Sequence, residues 1–434
     1  MSRRPLTLLL VLLLALAAGT AGPGCASGRR SREASQAVTA YFAGDLRRSI
    51  ELLEPLAHVP DGNYVLNNLR LGQAALAAGD LRTAEAAYYR AYETLNAAGV
   101  NNGARTAATV LFNERVRIWL GEPYERAIAN YQLGVVYYLQ GDYGNARGAF
   151  ENALFRLRRY ADEEDADKGY TEQESTFAVA YVLLGRCWQR LGREDLAEQN
   201  FAKARDLDPS LGPLADPALH ARTNVLLIVE WGTAPEKVAE GSALHFATAP
   251  TTLLPQPRVS VDGRLAAAAS DAAVPTTDTH VMALQRRWQT VDTFRAVREV
   301  VGAGSMIGGV IVLDQGLRRD NEEAALAGIG LIALGALLNA SSAPDTRQWE
   351  MAPRTIYLIP LELPPGTHEI EVALPDPRGW GDMVQRFRNV PVAPDGRETA
   401  LYARMLPGIV GDVDFAAPPT GPAPEPELNT DSHR

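Results

Sequence analysis

The chain has 434 residues, room for two or three domains, each with a core of its own. With 42 basic against 52 acidic residues its formal charge is −10, which excludes a general nucleic-acid binder, since such proteins carry a basic surplus or stripe. The apolar and charged fractions are those of an ordinary globular protein and exclude nothing further.

Residues 1–24 have the layout of a secretory signal: Arg3-Arg4, then the apolar run Leu6 to Ala18, then small residues up to Gly24. That run is shorter than the ~20 residues a membrane-spanning helix needs. The end, GPGCAS, resembles the lipobox of bacterial lipoproteins, with Gly24 at −1 and Cys25 as the lipidated residue. Gly22 and Pro23 depart from the lipobox pattern. Ala26 lacks the acidic signal that retains lipoproteins at the inner membrane of many enteric bacteria, which points to the outer membrane. Residues 25–34 then read as a lipidated Cys and a small, polar, basic tether. With Cys25 acylated, Cys187 is the remaining thiol, expected as a buried small hydrophobe.

From Ser35 a 3.6-residue apolar period begins. Tyr41-Phe42, Gly44-Asp45 and Ile50 to Leu56 suggest a first helical hairpin, with Pro55 in its second helix. Three clearer units follow on one template. They are Leu71, Gly72, Ala75, Ala84, Tyr88, Ala91; Leu133, Gly134, Tyr137, Ala146, Phe150, Ala153; and Leu184, Gly185, Trp188, Ala197, Phe201, Ala204, closed by Pro209. With Ala75, Tyr88 and Trp188 as departures, this spacing is the L-G-x2-Y…A-x3-F-x2-A of the tetratricopeptide repeat (TPR), a pair of antiparallel helices. The small residues let the helices approach and the aromatic residues fill the gap between them. The turn glycines Gly79, Gly141 and Gly192 are farther apart than the roughly 34 residues of a contiguous repeat, so extra segments intervene at 97–120 and 160–174.

After residue 212 the pattern changes to strands. Val225–Trp231, Arg258–Asp262, Val384–Val392 and Thr399–Leu406 read as strands, and Thr355–Leu363, Pro364-Pro365-Gly366 and Thr367–Leu374 as a hairpin. The alternation of His368, Ile370, Val372 and Leu374 with Glu369 and Glu371 puts one face in and one out. Two Gly/Ala-rich apolar stretches, Val300–Leu313 and Ala324–Leu338, predict a helical hairpin inserted at about 285–340 and packed against the sheet. The Pro-rich residues 416–434 read as a disordered tail. The expected fold is thus α+β and multidomain: TPR-like repeats over 35–212, then a small antiparallel β domain over 213–415 carrying the apolar hairpin.

The six histidines are scattered, no CxxC or HExxH occurs, and GAGSMIGG at 302–309 does not match a phosphate-loop spacing, so no cofactor or metal is expected. On the repeat template Asn68, Asn130, Tyr131, Tyr138, Arg186, Gln189 and Arg190 lie on or near the first helices, which line the concave face. Amides, aromatics and Arg there suit an extended peptide or a partner's loop, so these seven are the candidate groove.

GEPYERAIANYQLGVVYYLQGDYGNARGAFENA at 121–153, VEWGTAPEKV at 229–238, APDTRQWEMAPRTI at 343–356 and LPPGTHEIEV at 363–372 resemble, in that order, a family of uncharacterised bacterial envelope lipoproteins with TPR-like repeats. The resemblance spans most of 40–375 and implies an envelope lipoprotein, but no activity. PPGTHEIEV also resembles the turn and strand of surface-layer PEGA-type modules. The expectation is a lipid-anchored scaffold, at the outer membrane facing the periplasm, binding a protein or peptide partner through the repeat groove in cell-wall or envelope assembly. The alternative is an envelope hydrolase or carbohydrate-binding protein with its site around Asp345, Arg347 and Trp349. An exposed Trp349 beside a cleft favours that alternative; a buried one favours the scaffold.

Overall fold

The computed structural model describes residues 24–97, 118–155, 157, 177–240, 243–247, 253–284, 345–376, 379 and 381–416. The helical hairpin expected at 285–340, the signal segment before Gly24 and nearly all of the Pro-rich tail lie outside them. Four helical hairpins come first: α1 (Gly24–Phe42) with α2 (Leu46–Ala57), α3 (Tyr64–Ala77) with α4 (Leu81–Ala97), α5 (Pro123–Leu139) with α6 (Tyr143–Phe155), and α7 (Ala178–Arg190) with α8 (Glu194–Leu207). α1 corrects one expectation, because residues 25–34 are helical and not an irregular tether.

The Gly-Asp pairs explain three of the turns. Gly141 takes φ +76°, a left-handed conformation that ends α5, and its N–H is donated to the Tyr138 carbonyl. Asp142 then caps α6 by accepting from the Asn145 N–H at 3.0 Å. Asp45 and Asp80 do the same for α2 and α4. Within each unit the template glycine lies under the template aromatic. A Cβ added at Gly72, Gly134 or Gly185 would come within 2.9 Å of Tyr88, 2.5 Å of Phe150 or 2.8 Å of Phe201. These approaches are what a TPR-like hairpin requires, so the three sequence units are three such hairpins.

A short 3-10 segment (Pro209–Ala215) and α9 (Pro217–Arg222) lead into the strands. These are β1 (Val225–Trp231), β2 (Lys237–Glu240), β3 (Ala243–Phe246), β4 (Arg258–Val261), β5 (Arg264–Leu265), β6 (Pro275–Asp278), β7 (Thr355–Leu361), β8 (Gly366–Pro375), β9 (Asp382–Val392), β10 (Thr399–Met405) and β11 (Asp412–Asp414). Two further helices, α10 (Ala267–Ala272) and α11 (Thr279–Leu284), flank β6. The strands form a four-stranded sheet, β10-β1-β7-β6, a five-stranded sheet, β11-β9-β8-β4-β5, and the separate pair β2-β3. The sheets are mixed and not purely antiparallel, since β1 runs parallel to β10 and β9 to β11.

The expected hairpin of Thr355–Leu363 with Thr367–Leu374 does not form. β7 lies between β1 and β6, whereas β8 pairs with β9 and β4 in the other sheet. Pro364 and Pro365 have no N–H for a ladder, so the chain crosses between sheets there. Asn224 holds the crossover, donating to the Leu363 carbonyl at 2.8 Å and accepting from its N–H at 3.0 Å.

The molecule is layered as helices, four-stranded sheet, five-stranded sheet. On β1, Val225, Leu227, Val229 and Trp231 face the second sheet, while Leu226 and Ile228 join the helical core. On β7, Tyr357, Ile359 and Leu361 face the second sheet, and Ile356 and Leu358 the helices. Every residue of β1 and β7 is buried, which is why VLLIVEW and TIYLIPL read as apolar runs without alternation. Burial of each of Leu226, Ile228, Ile356 and Leu358 contributes about 1.5–3 kcal/mol. Repeats and four-stranded sheet therefore share one core, a second core lies between the two sheets, and the boundary expected at 212/213 is a change of secondary structure.

Candidate functional site: the inner face of the repeats

The first helices of the hairpins, α3, α5 and α7, turn their inner face toward the chain's own four-stranded sheet. Three polar linkages join the repeats to the β region. In the first, Gln73 of α3 donates to the Tyr402 hydroxyl at 2.9 Å, Tyr402 donates to Glu230 at 2.7 Å, and Gln132 of α5 donates to both Glu230 oxygens at 2.8 and 2.9 Å. Beside it Arg404 donates to the Tyr41 hydroxyl at 3.1 Å and to the Gly232 carbonyl at 2.6 Å. Burial pushes the Glu230 carboxyl above its ordinary value, and Arg404 with the Tyr402 and Gln132 hydrogen bonds opposes this without cancelling it.

The second linkage joins α5 to β2. The Lys237 ammonium pairs with Glu125, donates to the Arg347 carbonyl at 3.0 Å and lies 5.6 Å from the centre of the Trp119 ring. Glu125 also accepts from the backbone N–H of Trp349 at 3.0 Å and that of Glu122 at 2.7 Å. The segment Asp345–Met351 is thereby held on the repeats. Trp119 donates to the Arg347 carbonyl at 2.8 Å, Arg347 donates to the Gly62 carbonyl at 2.7 Å, and Glu350 pairs with Arg70 at 2.6 Å. Trp349 is 0% exposed and packs edge-on against Tyr88. Asp345, Arg347 and Trp349 therefore dock the β region onto the helices, and Trp349 lines no open cleft.

The third linkage is at the end of the array. Glu398, just before β10, accepts from Tyr138 at 2.8 Å, from Arg186 Nε and Nη2 at 3.0 and 2.8 Å, and from Arg190 Nε at 2.5 Å. Arg186 and Glu398 are both fully buried. The other end of Arg186 donates to Thr223 Oγ1 at 3.0 Å and to His220 Nδ1 at 2.5 Å. A guanidinium only donates, so His220 Nδ1 accepts and its Nε2–H is donated to the Leu214 carbonyl at 2.6 Å. Burial, with Arg186 adding to it, pushes His220 down to about 3 against the pull of that carbonyl, so the ring is neutral. Burial alone would lower the Arg186 pKa, but Glu398 and Tyr138 reverse this and raise it.

The seven groove residues thus separate into groups. Tyr138, Arg186 and Arg190 converge on Glu398, and Gln189 lies nearby, donating to the Pro217 carbonyl at 3.0 Å. Tyr131 is buried between the Phe150 and Phe177 rings. Asn68 and Asn130 serve the hairpins themselves and lie apart from the others. Asn68 donates to the carbonyls of Ala57 and Tyr64 and accepts from Arg90, while Asn130 donates to the Arg126 carbonyl and accepts from Asn96. The expected open groove is corrected accordingly: its aromatic and Arg residues are engaged by the chain's own sheet. Cys187 is buried as expected, and burial raises its thiol well above the ordinary value.

Sequence reasoning missed Gln73, Glu125, Gln132, Glu230, Lys237, Glu398, Tyr402 and Arg404. For Glu230 a signal existed, since a carboxylate inside the unbroken apolar run VLLIVEW needs a buried partner. Among the described residues no group of three or more His, Cys, Asp or Glu could hold a metal, and no helix is long and apolar enough to cross a membrane.

No family model and no curated protein matches the chain. Among the solved structures similar to part of it are two described by related names. One, described as MamA protein, shares 20% identity over 42% of this chain and 74% of its own, with a TM-score of 0.28. The other, described as MamA, shares 18% identity over 43% of this chain and 81% of its own, with a TM-score of 0.29.

Proposed function

We propose that the protein is a lipid-anchored scaffold of the bacterial envelope, held through Cys25 at the outer membrane facing the periplasm, that engages a partner protein of cell-wall or envelope assembly. The TPR-like fold supports an interaction role in general. The observation that carries the reading is the carboxylate held by Tyr138, Arg186 and Arg190 on the repeat face. Such a face recognises protein side chains, and here it already grips one supplied in cis. The buried Trp349 weighs against a sugar-binding or hydrolytic site at Asp345–Trp349.

The test is site-specific photo-crosslinking in cells, with the probe at the exposed Leu191 on the rim, next to Arg190, or at the exposed Tyr89 of α4. The scaffold reading expects the same envelope protein to be recovered repeatedly from the rim probe and lost when Arg186 is replaced. No crosslinked protein from either position would remove it. The anchor is tested apart: Cys25→Ala abolishes labelling by a fatty-acid analogue, and labelling that persists would refute lipidation.

A further inference from the structure

Glu398 is out of keeping with its neighbours. Residues 394–397 form an exposed turn between β9 and β10, yet the Glu398 carboxylate has no exposure. It leaves the turn and enters the repeat face, where four hydrogen bonds from Tyr138, Arg186 and Arg190 receive it. β10 begins only at Thr399, so the turn can open while the strand pairing of β10 with β1 stays intact.

Charge at this point does not balance. Two guanidiniums, Arg186 and Arg190, face one carboxylate, and His220 beside them is neutral. Among the described residues no second carboxylate hydrogen-bonds either guanidinium. The arrangement also has an accessible edge, because the Arg190 side chain is 20% exposed.

We propose that Tyr138, Arg186 and Arg190 form a carboxylate-binding site of the repeats, that the chain's own Glu398 keeps it filled, and that an acidic segment of a partner protein enters by displacing the turn 393–398. The inference rests on the scaffold reading and names the chemistry of its partner. Exchange of one carboxylate for another leaves both guanidiniums paired, so it avoids the penalty of an uncompensated buried charge. What opens is an exposed turn, the kind of segment that unfolds locally at low cost. The cis carboxylate competes at the high effective concentration of a tethered ligand, so it sets the threshold a partner must exceed.

The probe is a fluorescent peptide with the sequence of residues 392–401, VAPDGRETAL, and a second peptide with Gln in place of its Glu. Binding is read by anisotropy on the whole chain as wild type, Glu398→Ala and Glu398→Gln, after each is shown to melt cooperatively. We expect the variants to bind the Glu peptide at least tenfold more tightly than wild type, the Gln peptide to bind poorly, and Arg190→Ala in the Glu398→Ala background to abolish the gain. Equal binding by wild type and a folded variant, or equal binding of the two peptides, would overturn the proposal. Should neither variant fold, hydrogen exchange on the wild type decides. Millimolar Glu peptide must then speed exchange in 393–398 without changing β10, and no change refutes the site. A partner crosslinked at Leu191 equally in wild type and Glu398→Gln cells would sink this inference and leave the scaffold standing. Peptide binding with no cellular partner would remove the scaffold and the partner's segment with it, leaving only a carboxylate site that Glu398 fills.

Discussion

The two sheets carry their charges in opposite ways. In the four-stranded sheet and the strand β2 beside it, Glu230, Arg404 and Lys237 are buried at the helix interface, and each has a named partner. In the five-stranded sheet the ion pairs Arg386–Glu371, Arg388–Asp412 and Arg258–Asp382 lie on the outer face in contact with solvent. The same residue types therefore do different work. Inside, they fix which helix meets which strand, because a misplaced partner leaves a buried charge alone. Outside, they are screened by water and salt and choose nothing.

The largest break in that contrast comes from Lys237→Ala. It leaves Glu125 buried between two backbone N–H donors with no cation, at a cost of about 3–5 kcal/mol. Urea denaturation should show the loss as a lower midpoint with an unchanged slope. A shift no larger than that of a surface substitution would mean that the interface charges are no more demanding than the exposed ones.

A pH series on Glu230→Gln sharpens the same point. The folded carboxyl is raised above its unfolded value, so the folded state holds the proton more tightly. The stability this gives is full below about pH 4.5 and is lost as pH rises through the raised value. Gln removes the titration and offers an amide to the buried Gln132 oxygen, which has no hydrogen-bond partner. Above that window the variant should match or exceed wild type in melting temperature; a large loss at pH 8 would show that the charge itself is required.

A smaller site of titration, with the same sign, is in the outer sheet. His368 Nδ1 lies 2.8 Å from Asp262 and its Nε2 2.9 Å from the Pro364 carbonyl, so both ring nitrogens face acceptors. The Asp262 hydrogen bond, then that of Pro364, raise its pKa, against a small effect of burial. Its contribution is full below about pH 6.5 and is lost as pH rises through the raised folded value. His368→Gln should flatten stability between about pH 6 and 8, a change visible in hydrogen exchange at β8. Identical profiles for wild type and variant would show that the pair does not titrate. The smallest effect is expected of Arg386→Ala, which should leave the denaturation midpoint where it was; a marked drop would erase the distinction between the sheets.

What could be read from the sequence follows the same division. His368, Ile370, Val372 and Leu374 alternate because one face of β8 meets water, and that strand was legible. The Gly134–Phe150 contact was legible too, since local spacing within a hairpin repeats on the template. β7 was legible as a strand but not in its pairing. A strand buried on both faces has no alternation to show which neighbour it takes. Tyr138, Arg186 and Arg190 were found as polar residues on first helices, whereas Glu398 sits in PDGRE, a stretch that reads as a solvated turn. Its role exists only once β10 has been laid beside β1, and no local pattern encodes that.

That parallel pairing has a consequence for how the chain matures. β10 fits against β1, with Val225 opposite Thr399, and it brings Tyr402, Arg404 and, just ahead of it, Glu398 to all four hairpins. The segment after it closes on the first hairpin, where the Gly408 carbonyl leaves no room for a Cβ at Gly44. During synthesis the hairpins can form as they emerge, but the polar partners that β10 supplies to their inner face come with the last strands. Contacts of such long sequence separation form late and slowly. A stop codon ahead of Glu398 would therefore do more than trim the C-terminus, since it would leave Tyr41, Gln73 and Arg186 without the partners that Arg404, Tyr402 and Glu398 supply.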